Sequence, residues 1–245
     1  MSKPRALIVR TAGTNCDFET EFALKKNGGQ VDKVHVNRII EKPSLLRQYQ
    51  IMVFAGGFSY GDYISAGKIV SNLVLNKFRD AMTEFVGAKK LLIGICNGFQ
   101  ILVKTGLLPL SRNNFRQSAT LMNNDSGSFI CKWVGLSVNP ESIFTRNLPR
   151  DIELPIAHAE GKFYADEVTL EGLEENKQVV LRYRDNPNGS LNDIAGIVDE
   201  TGRILGMMPH PERFCLAEQY PQKSDRDHLA VAGDIIFRNA VGYFD

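Results

Sequence analysis

The 245-residue sequence has no apolar run long enough to cross a bilayer and almost no excess of charge: 29 lysines and arginines face 28 acids, a formal net charge of +1. The first absence excludes a transmembrane helix. The second removes the electrostatic support for nucleic-acid or membrane-surface binding, so neither is expected as a partner. Cysteine is sparse, at positions 16, 96, 131 and 215, with no C-x-x-C pair. That spread suits neither a zinc site nor a disulfide framework, so no metal is expected and a reducing, cytoplasmic setting is the simplest account. Met1-Ser2-Lys3-Pro4-Arg5 leads straight into a short strand and does not read as a signal peptide. Internal repeats, low-complexity stretches and Pro- or Gly-rich linkers are missing too.

With 43% apolar residues the chain can build a full core without staples, and residues 1–245 read as a single domain. Its first half alternates strand and helix signals. Ala6-Leu7-Ile8-Val9, Val31 to Val36, Ile51 to Ala55 and Leu91 to Ile95 read as strands. A helix is expected from Phe18 to Lys26, with Asp17 as N-cap and Gly28-Gly29 closing it, and a second from about Ser65 to Phe85. Buried strands separated by helices imply a mostly parallel central sheet covered on both faces, a three-layer α/β domain. The second half adds strand signals at Phe129 to Val138, Val179 to Tyr183, Ala195 to Val198 and Ile204 to Met208. Asp199-Glu200-Thr201-Gly202 makes a hairpin turn between the last two, so antiparallel strands are expected there. A final helix is expected from about Arg226 to Asn239. Asn123 to Gly127 and Asp185 to Gly189 read as turn-rich surface loops.

Chemistry concentrates at Gly94-Ile95-Cys96-Asn97-Gly98. This pentapeptide joins the apolar run ending at Ile95 to a helix-like stretch from Gln100, the pattern of a nucleophile elbow with cysteine in place of serine. A sharp strand-to-helix corner strains its central residue and leaves no room for large neighbours. The helix dipole favours a thiolate there, and the Asn97 amide can meet a developing oxyanion. Cysteines are often simply buried, but the flanking glycines and the abrupt change of pattern favour a nucleophile.

A thiol with an unperturbed pKa of about 8.5 needs a base or a cation beside it. His35 and His228 read as structural or surface residues. His158 and His210 each stand in a His-x-Glu unit, with Glu160 and Glu212, and residues two apart on an extended segment share a side. Zinc deaminases also carry His-x-Glu, but their downstream P-C-x-x-C is missing. Pro209 and Pro211 stiffen the backbone around His210 and tilt the choice toward it without closing it. Gly56-Gly57-Phe58 follows a strand expected to end at the same sheet edge as the elbow. The Gly57 amide region is therefore the candidate second oxyanion donor, with Phe58 beside it. Gly56 to Gly61 is not G-x-G-x-x-G, and Gly61 to Ile69 misses the Walker spacing by one residue, so no nucleotide site is expected from either.

Gly94 to Gln100 and Pro209-His210-Pro211-Glu212 together resemble the class I, triad-type glutamine amidotransferases. The resemblance narrows at Arg10 to Asp17, at Gly56 to Tyr63 and at His158 to Phe163. There the sequence is similar to the glutaminase subunits of phosphoribosylformylglycinamidine synthase, and the likeness covers nearly the whole chain. The resemblance implies a flavodoxin-like amidotransferase fold and a triad of Cys96, His210 and Glu212. It implies hydrolysis of glutamine through a glutamyl thioester, with ammonia passed on for purine synthesis. Gln100 is a candidate substrate contact or a packing residue of the elbow helix. His158 and Glu160 fall near the site or toward a partner, and Cys16 reads as structural or interfacial. The implied partners are an ATP-dependent large synthase subunit and a small bridging subunit. ATP and magnesium are expected on the synthase, and no cofactor on this chain. Arg116 to Ser128 is a polar, insertion-like loop that departs from the pattern. The rival readings are another cysteine hydrolase on the same fold, an inert scaffold, and an amidotransferase serving a different acceptor.

Overall fold

Short apolar runs with no polar face cannot form amphipathic helices and instead become strands buried on both sides. In the computed structural model, which describes residues 3–221 and 230–244, such runs make the centre of one large sheet. In chain order the elements are β1 (Arg5–Arg10), α1 (Asp17–Lys26), β2 (Gln30–His35), α2 (Val36–Glu41), β3 (Ile51–Phe54), α3 (Lys68–Lys77), α4 (Arg79–Gly87), β4 (Leu91–Ile95) and α5 (Asn97–Lys104). They continue with β5 (Ala119–Met122), β6 (Ile130–Val138), β7 (Asp151–His158), β8 (Lys162–Ala165), α6 (Glu167–Glu175), β9 (Val179–Tyr183), β10 (Ile194–Val198), β11 (Ile204–Met207) and α7 (Ala232–Val241).

Nine strands form the main sheet in the order β2-β1-β3-β4-β11-β10-β9-β6-β7, and β5 pairs with β8 in a small second sheet. From β2 to β11 every ladder is parallel, and from β11 to β7 every ladder is antiparallel. Every residue of β3, β4, β10 and β11 is buried, so both faces of the sheet are covered. The parallel order is that of a doubly wound, flavodoxin-like sheet, which gathers loops at the carboxyl ends of its strands. β4 and β11 are hydrogen-bonded neighbours in the register Met207↔Ile95. The residues that follow them, Cys96 and the segment to His210, are thereby brought to one edge.

Several boundaries differ from the sequence expectations. The helix expected over Ser65 to Phe85 is two helices that meet at Phe78, whose φ of −144° is not helical and whose side chain is buried. Asp17 is the first residue of α1 rather than its cap, and its buried carboxylate pairs with Arg10 at 2.8 Å. Val36 begins α2 instead of ending β2, and the His35 imidazole accepts the Asn37 amide at the start of that helix. The described part of the last helix begins at Ala232; its expected start at Arg226, and His228 with it, lie outside the described residues. The insertion-like loop from Arg116 to Ser128 contains strand β5. Two expected surface loops hold buried side chains, Asn124 and Asn188, and join where the Asp125 amide donates to the Asn188 carbonyl at 3.1 Å.

Candidate active site

Cys96 sits at the corner between β4 and α5 with φ 50° and ψ −104°, a conformation that side-chain-bearing residues adopt only under constraint. The constraint is close packing. A Cβ on Gly98 would stand 1.9 Å from the Phe54 carbonyl oxygen, and one on Gly94 would stand 2.6 Å from the Gly98 carbonyl oxygen. Strand, corner and helix therefore fit together only with glycine on both sides of the cysteine. Cys96 is buried, and its thiol lies 3.6 Å from the Ala157 carbonyl oxygen at the end of β7. Asn97 opens α5, so its amide is one of the helix N-terminal N–H groups with no intrahelical acceptor.

His210 follows β11 and is buried with Glu212, the two joined by a 2.6 Å hydrogen bond from His210 Nδ1 to Glu212 Oε1. Burial is the largest single influence and opposes a charge on this imidazole, but the Glu212 carboxylate, Cys96 and Cys16 together outweigh it, and the pKa is raised well above the usual histidine value. Nδ1 is engaged by Glu212. Among the described residues Nε2 is enclosed with no hydrogen-bond partner, leaving it for the thiol or a substrate. The arrangement is a thiol, a base and an orienting acid, the third group fixing tautomer and ring direction.

The loop after β1 closes the other side of this pair. Cys16 Sγ lies 3.9 Å from His210 Nδ1, and Arg213 Nη2 lies 3.1 Å from the same sulfur. Ligand atoms of Cys16, His210 and Glu212 fall within 4.8 Å of one another, a spacing that could hold a metal ion. The Arg213 guanidinium is already a fixed cation at the thiol, which disfavours a second one. Gly56, at the end of β3, lies against the imidazole; a Cβ there would be 2.8 Å from His210 Cε1 and 3.1 Å from Cys16 Sγ.

Comparison with known proteins places this geometry in a family. The description of a CobB/CobQ-like glutamine amidotransferase domain matches residues 3–244. The phosphoribosylformylglycinamidine synthase subunit PurQ of Dehalococcoides mccartyi is 44% identical over 98% of this chain and 98% of its own length. The chain belongs to the PurQ family of glutamine amidotransferases. The PurQ subunit of Methanococcus maripaludis is 39% identical over 99% of this chain and 98% of its own length. A chain of the Thermotoga maritima PurLQS structure covers all of this chain at 35% identity with a TM-score of 0.80. A further glutamine amidotransferase of T. maritima shares the fold at 16% identity, with a TM-score of 0.60 over 99% of this chain and 98% of its own.

The remaining candidate residues of this PurQ-family chain stand around the elbow. Gly57 forms an antiparallel bridge with Thr14, and its neighbour's amide, that of Phe58, is spent on the Gly13 carbonyl at 2.8 Å. The Phe58 ring lies on the exposed rim, 6.3 Å from the ring of Phe129. Gln100 is engaged inside the protein: its Oε1 accepts from Asn97 Nδ2 at 2.9 Å and its Nε2 donates to the Glu160 carbonyl at 2.5 Å. His158 Nδ1 pairs with Asn124 Oδ1 at 3.0 Å, and burial, with His210 nearby, pushes its pKa down to about 4. The His158 imidazole is therefore neutral at neutral pH. Glu160 faces inward: its carboxylate accepts the Ala66 amide at 3.2 Å and lies 3.8 Å from Lys104 Nζ.

Sequence reasoning read Cys16 as structural or interfacial and did not foresee its place beside His210, a contact across 194 residues. It missed the polar network behind the elbow. Asn97 Nδ2 donates to Asp62 Oδ1 at 3.1 Å, and Asn97 Oδ1 accepts the Ser59 amide at 3.2 Å. Burial, with Glu160 nearby, pushes the Asp62 carboxyl up to about 6. The segment so held carries left-handed φ values at Tyr60, Asp62 and Ile64. That strain next to the elbow was the missing signal, and no residue pattern announces it. Among the described residues no helix is long and apolar enough to cross a membrane.

Proposed function

We propose that this chain hydrolyses glutamine at Cys96 and delivers the ammonia to a synthase subunit, as the glutaminase of phosphoribosylformylglycinamidine synthase. Residues 1–245 act as one amidotransferase domain. The Cys96 thiol gives its proton to His210 Nε2 while sulfur bonds to the side-chain amide carbon of glutamine. The Asn97 and Gly57 amides receive the oxyanion of the tetrahedral intermediate; in acyl-transfer enzymes one such donor is worth roughly 10²–10³ in rate. His210 then passes the proton to the leaving nitrogen, and ammonia departs, leaving a glutamyl thioester. Water gives a proton to His210 and attacks the thioester carbon. The C–S bond breaks, the thiolate regains a proton, and glutamate leaves. Glu212 holds the imidazole in place and stabilises its charged form throughout.

The observation that carries this reading is the strained, buried Cys96 beside a His210–Glu212 pair bonded at 2.6 Å, all at the ends of neighbouring strands. The likeness to a chain of the T. maritima PurLQS complex supports a large synthase partner and a small third subunit. ATP and magnesium then belong to the synthase, and the reduced thiol suits a cytoplasmic setting. A glutamine analogue bearing a chloroketone in place of the side-chain amide tests the site directly. Mass spectrometry should find one adduct, on Cys96, that glutamine protects against. Labelling elsewhere, or labelling that glutamine does not slow, would count against the assignment.

A further inference from the structure

A cleft of about 490 Å³ opens at the amino ends of β4 and β11, opposite the end that carries Cys96 and His210. Lys89, Arg112 and Arg203 line it, with Leu107, Val86 and Phe115 as apolar wall. No acid lines it. Among the described residues, none of these three cationic side chains makes an ion pair. Arg203 Nε is enclosed and has no hydrogen-bond partner among the described residues. An orphaned, buried donor on a cation is costly unless a ligand satisfies it.

The two acids that hold the rims do not serve. Glu200 accepts the amides of Ser111 at 2.9 Å and Arg112 at 2.8 Å. Asp199 accepts the Ser111 and Thr201 hydroxyls, both at 2.7 Å, and the amides of Arg203 and Ile204, both at 2.9 Å. Both carboxylates are committed to holding the cleft's two rims together. The rim segment is itself constrained: Asn114 and Phe115 have φ of 51° and 61°, and Arg79 donates to Asn114 at 2.8 Å while lying 5.0 Å over the Phe115 ring. Two successive left-handed residues persist only where their surroundings impose them, and such strain gathers at ligand clamps.

We infer that this cleft binds a small phosphomonoester, with Arg203, Arg112 and Lys89 around the phosphate and the apolar wall against the remainder of the ligand. A guanidinium fork matches phosphate oxygens in pairs, and the volume is that of a small-molecule site. The inference is independent of the glutaminase reading, because the cleft shares β4 and β11 with the catalytic corner but none of its side chains.

Calorimetric titration of the full chain with AMP, ribose 5-phosphate and adenosine tests it. AMP and ribose 5-phosphate should bind with Kd of roughly 1 mM or tighter, adenosine should not, and saturating glutamine should not displace them. The double variant Lys89→Gln, Arg112→Gln changes exposed side chains and should weaken AMP binding about tenfold or more; Arg203→Gln should do the same. Adenosine binding as well as AMP, or no AMP binding at several times that concentration, would overturn the inference. So would an unchanged Kd in the double variant. If those substitutions instead abolished assembly with a synthase subunit and left AMP binding intact, the cleft would be a protein interface and the inference wrong.

Discussion

Cys16 Sγ lies 3.9 Å from His210 Nδ1, the nitrogen that is also bonded to Glu212 Oε1 at 2.6 Å. The thiol backs the imidazole on its carboxylate-bound edge and leaves Nε2 unbonded among the described residues. Arg213 pins the sulfur in turn, so Cys16, 194 residues away in sequence, joins Glu212 and Arg213 in setting the angle of one ring. Cys16→Ala should therefore lower kcat while leaving KM for glutamine close to unchanged, because it loosens the base without touching the substrate. A loss of up to about 10²-fold is the scale expected for a misplaced catalytic group. Alkylation of Cys96 by the chloroketone analogue should persist in the variant. Unaltered turnover would mean that Cys16 is passive filling.

Glu212→Gln removes the charge that raises the His210 pKa and leaves burial, which lowers it. The imidazolium should then lose its proton at a lower pH than in the parent protein. Titration of the ring by nuclear magnetic resonance should report that downward move. Turnover should fall by roughly 10²–10⁴, the range for losing an orienting acid.

Gly98→Ala should prevent the elbow from closing, since the added carbon would meet the Phe54 carbonyl at 1.9 Å, and backbone has to move to admit it. The expected loss is above about 3 kcal/mol, or failure to fold. Gly172→Ala, within α6 and with nothing inside 4 Å, is the matched control and should gain up to about 1 kcal/mol. Thermal unfolding of both variants distinguishes steric closure from general intolerance of substitution.

His158 has a folded-state pKa near 4 against an ordinary value of 6.5, so between those values the unfolded chain binds the proton and the folded chain does not. Its contribution is complete above about pH 6.5 and is lost as pH falls toward 4. Asp62, raised to about 6, acts in the opposite direction, so the whole-protein slope is not diagnostic. The difference between the parent and His158→Phe is. On going from pH 7 to pH 5 the parent should lose about 2 kcal/mol relative to the variant in urea unfolding. Parallel pH dependences would show that the imidazole is not held neutral.

The parallel half of the fold was legible because its strands are short apolar runs between helices, as at Ile51 to Phe54 and Leu91 to Ile95. The elbow was legible for a related reason: Gly94 and Gly98 flank a corner that nothing larger can enter. Strand β7 escaped notice although Ile152, Leu154 and Ile156 alternate inward, because Pro155 interrupts a pattern that prolines usually end. Helix α6 carried a readable start, Asp166 accepting the Thr169 amide at 2.8 Å, but buries little. Phe78 looked like one more apolar position of a long helix, and only packing reveals it as the break. Choosing His210 over His158 from residue chemistry alone stayed open because both sit beside a glutamate two residues on. The structure separates them: Glu212 bonds to His210, whereas Glu160 turns away to Ala66 and Lys104.

The most direct test of the central claim is glutamate release from glutamine by the parent chain and by Cys96→Ala, each with and without the synthase subunit, its ribonucleotide substrate and ATP. Release that requires Cys96 and rises strongly with the assembled partner is the predicted result. Equal release by the Cys96→Ala variant, or none from the parent chain under any of these conditions, would contradict it.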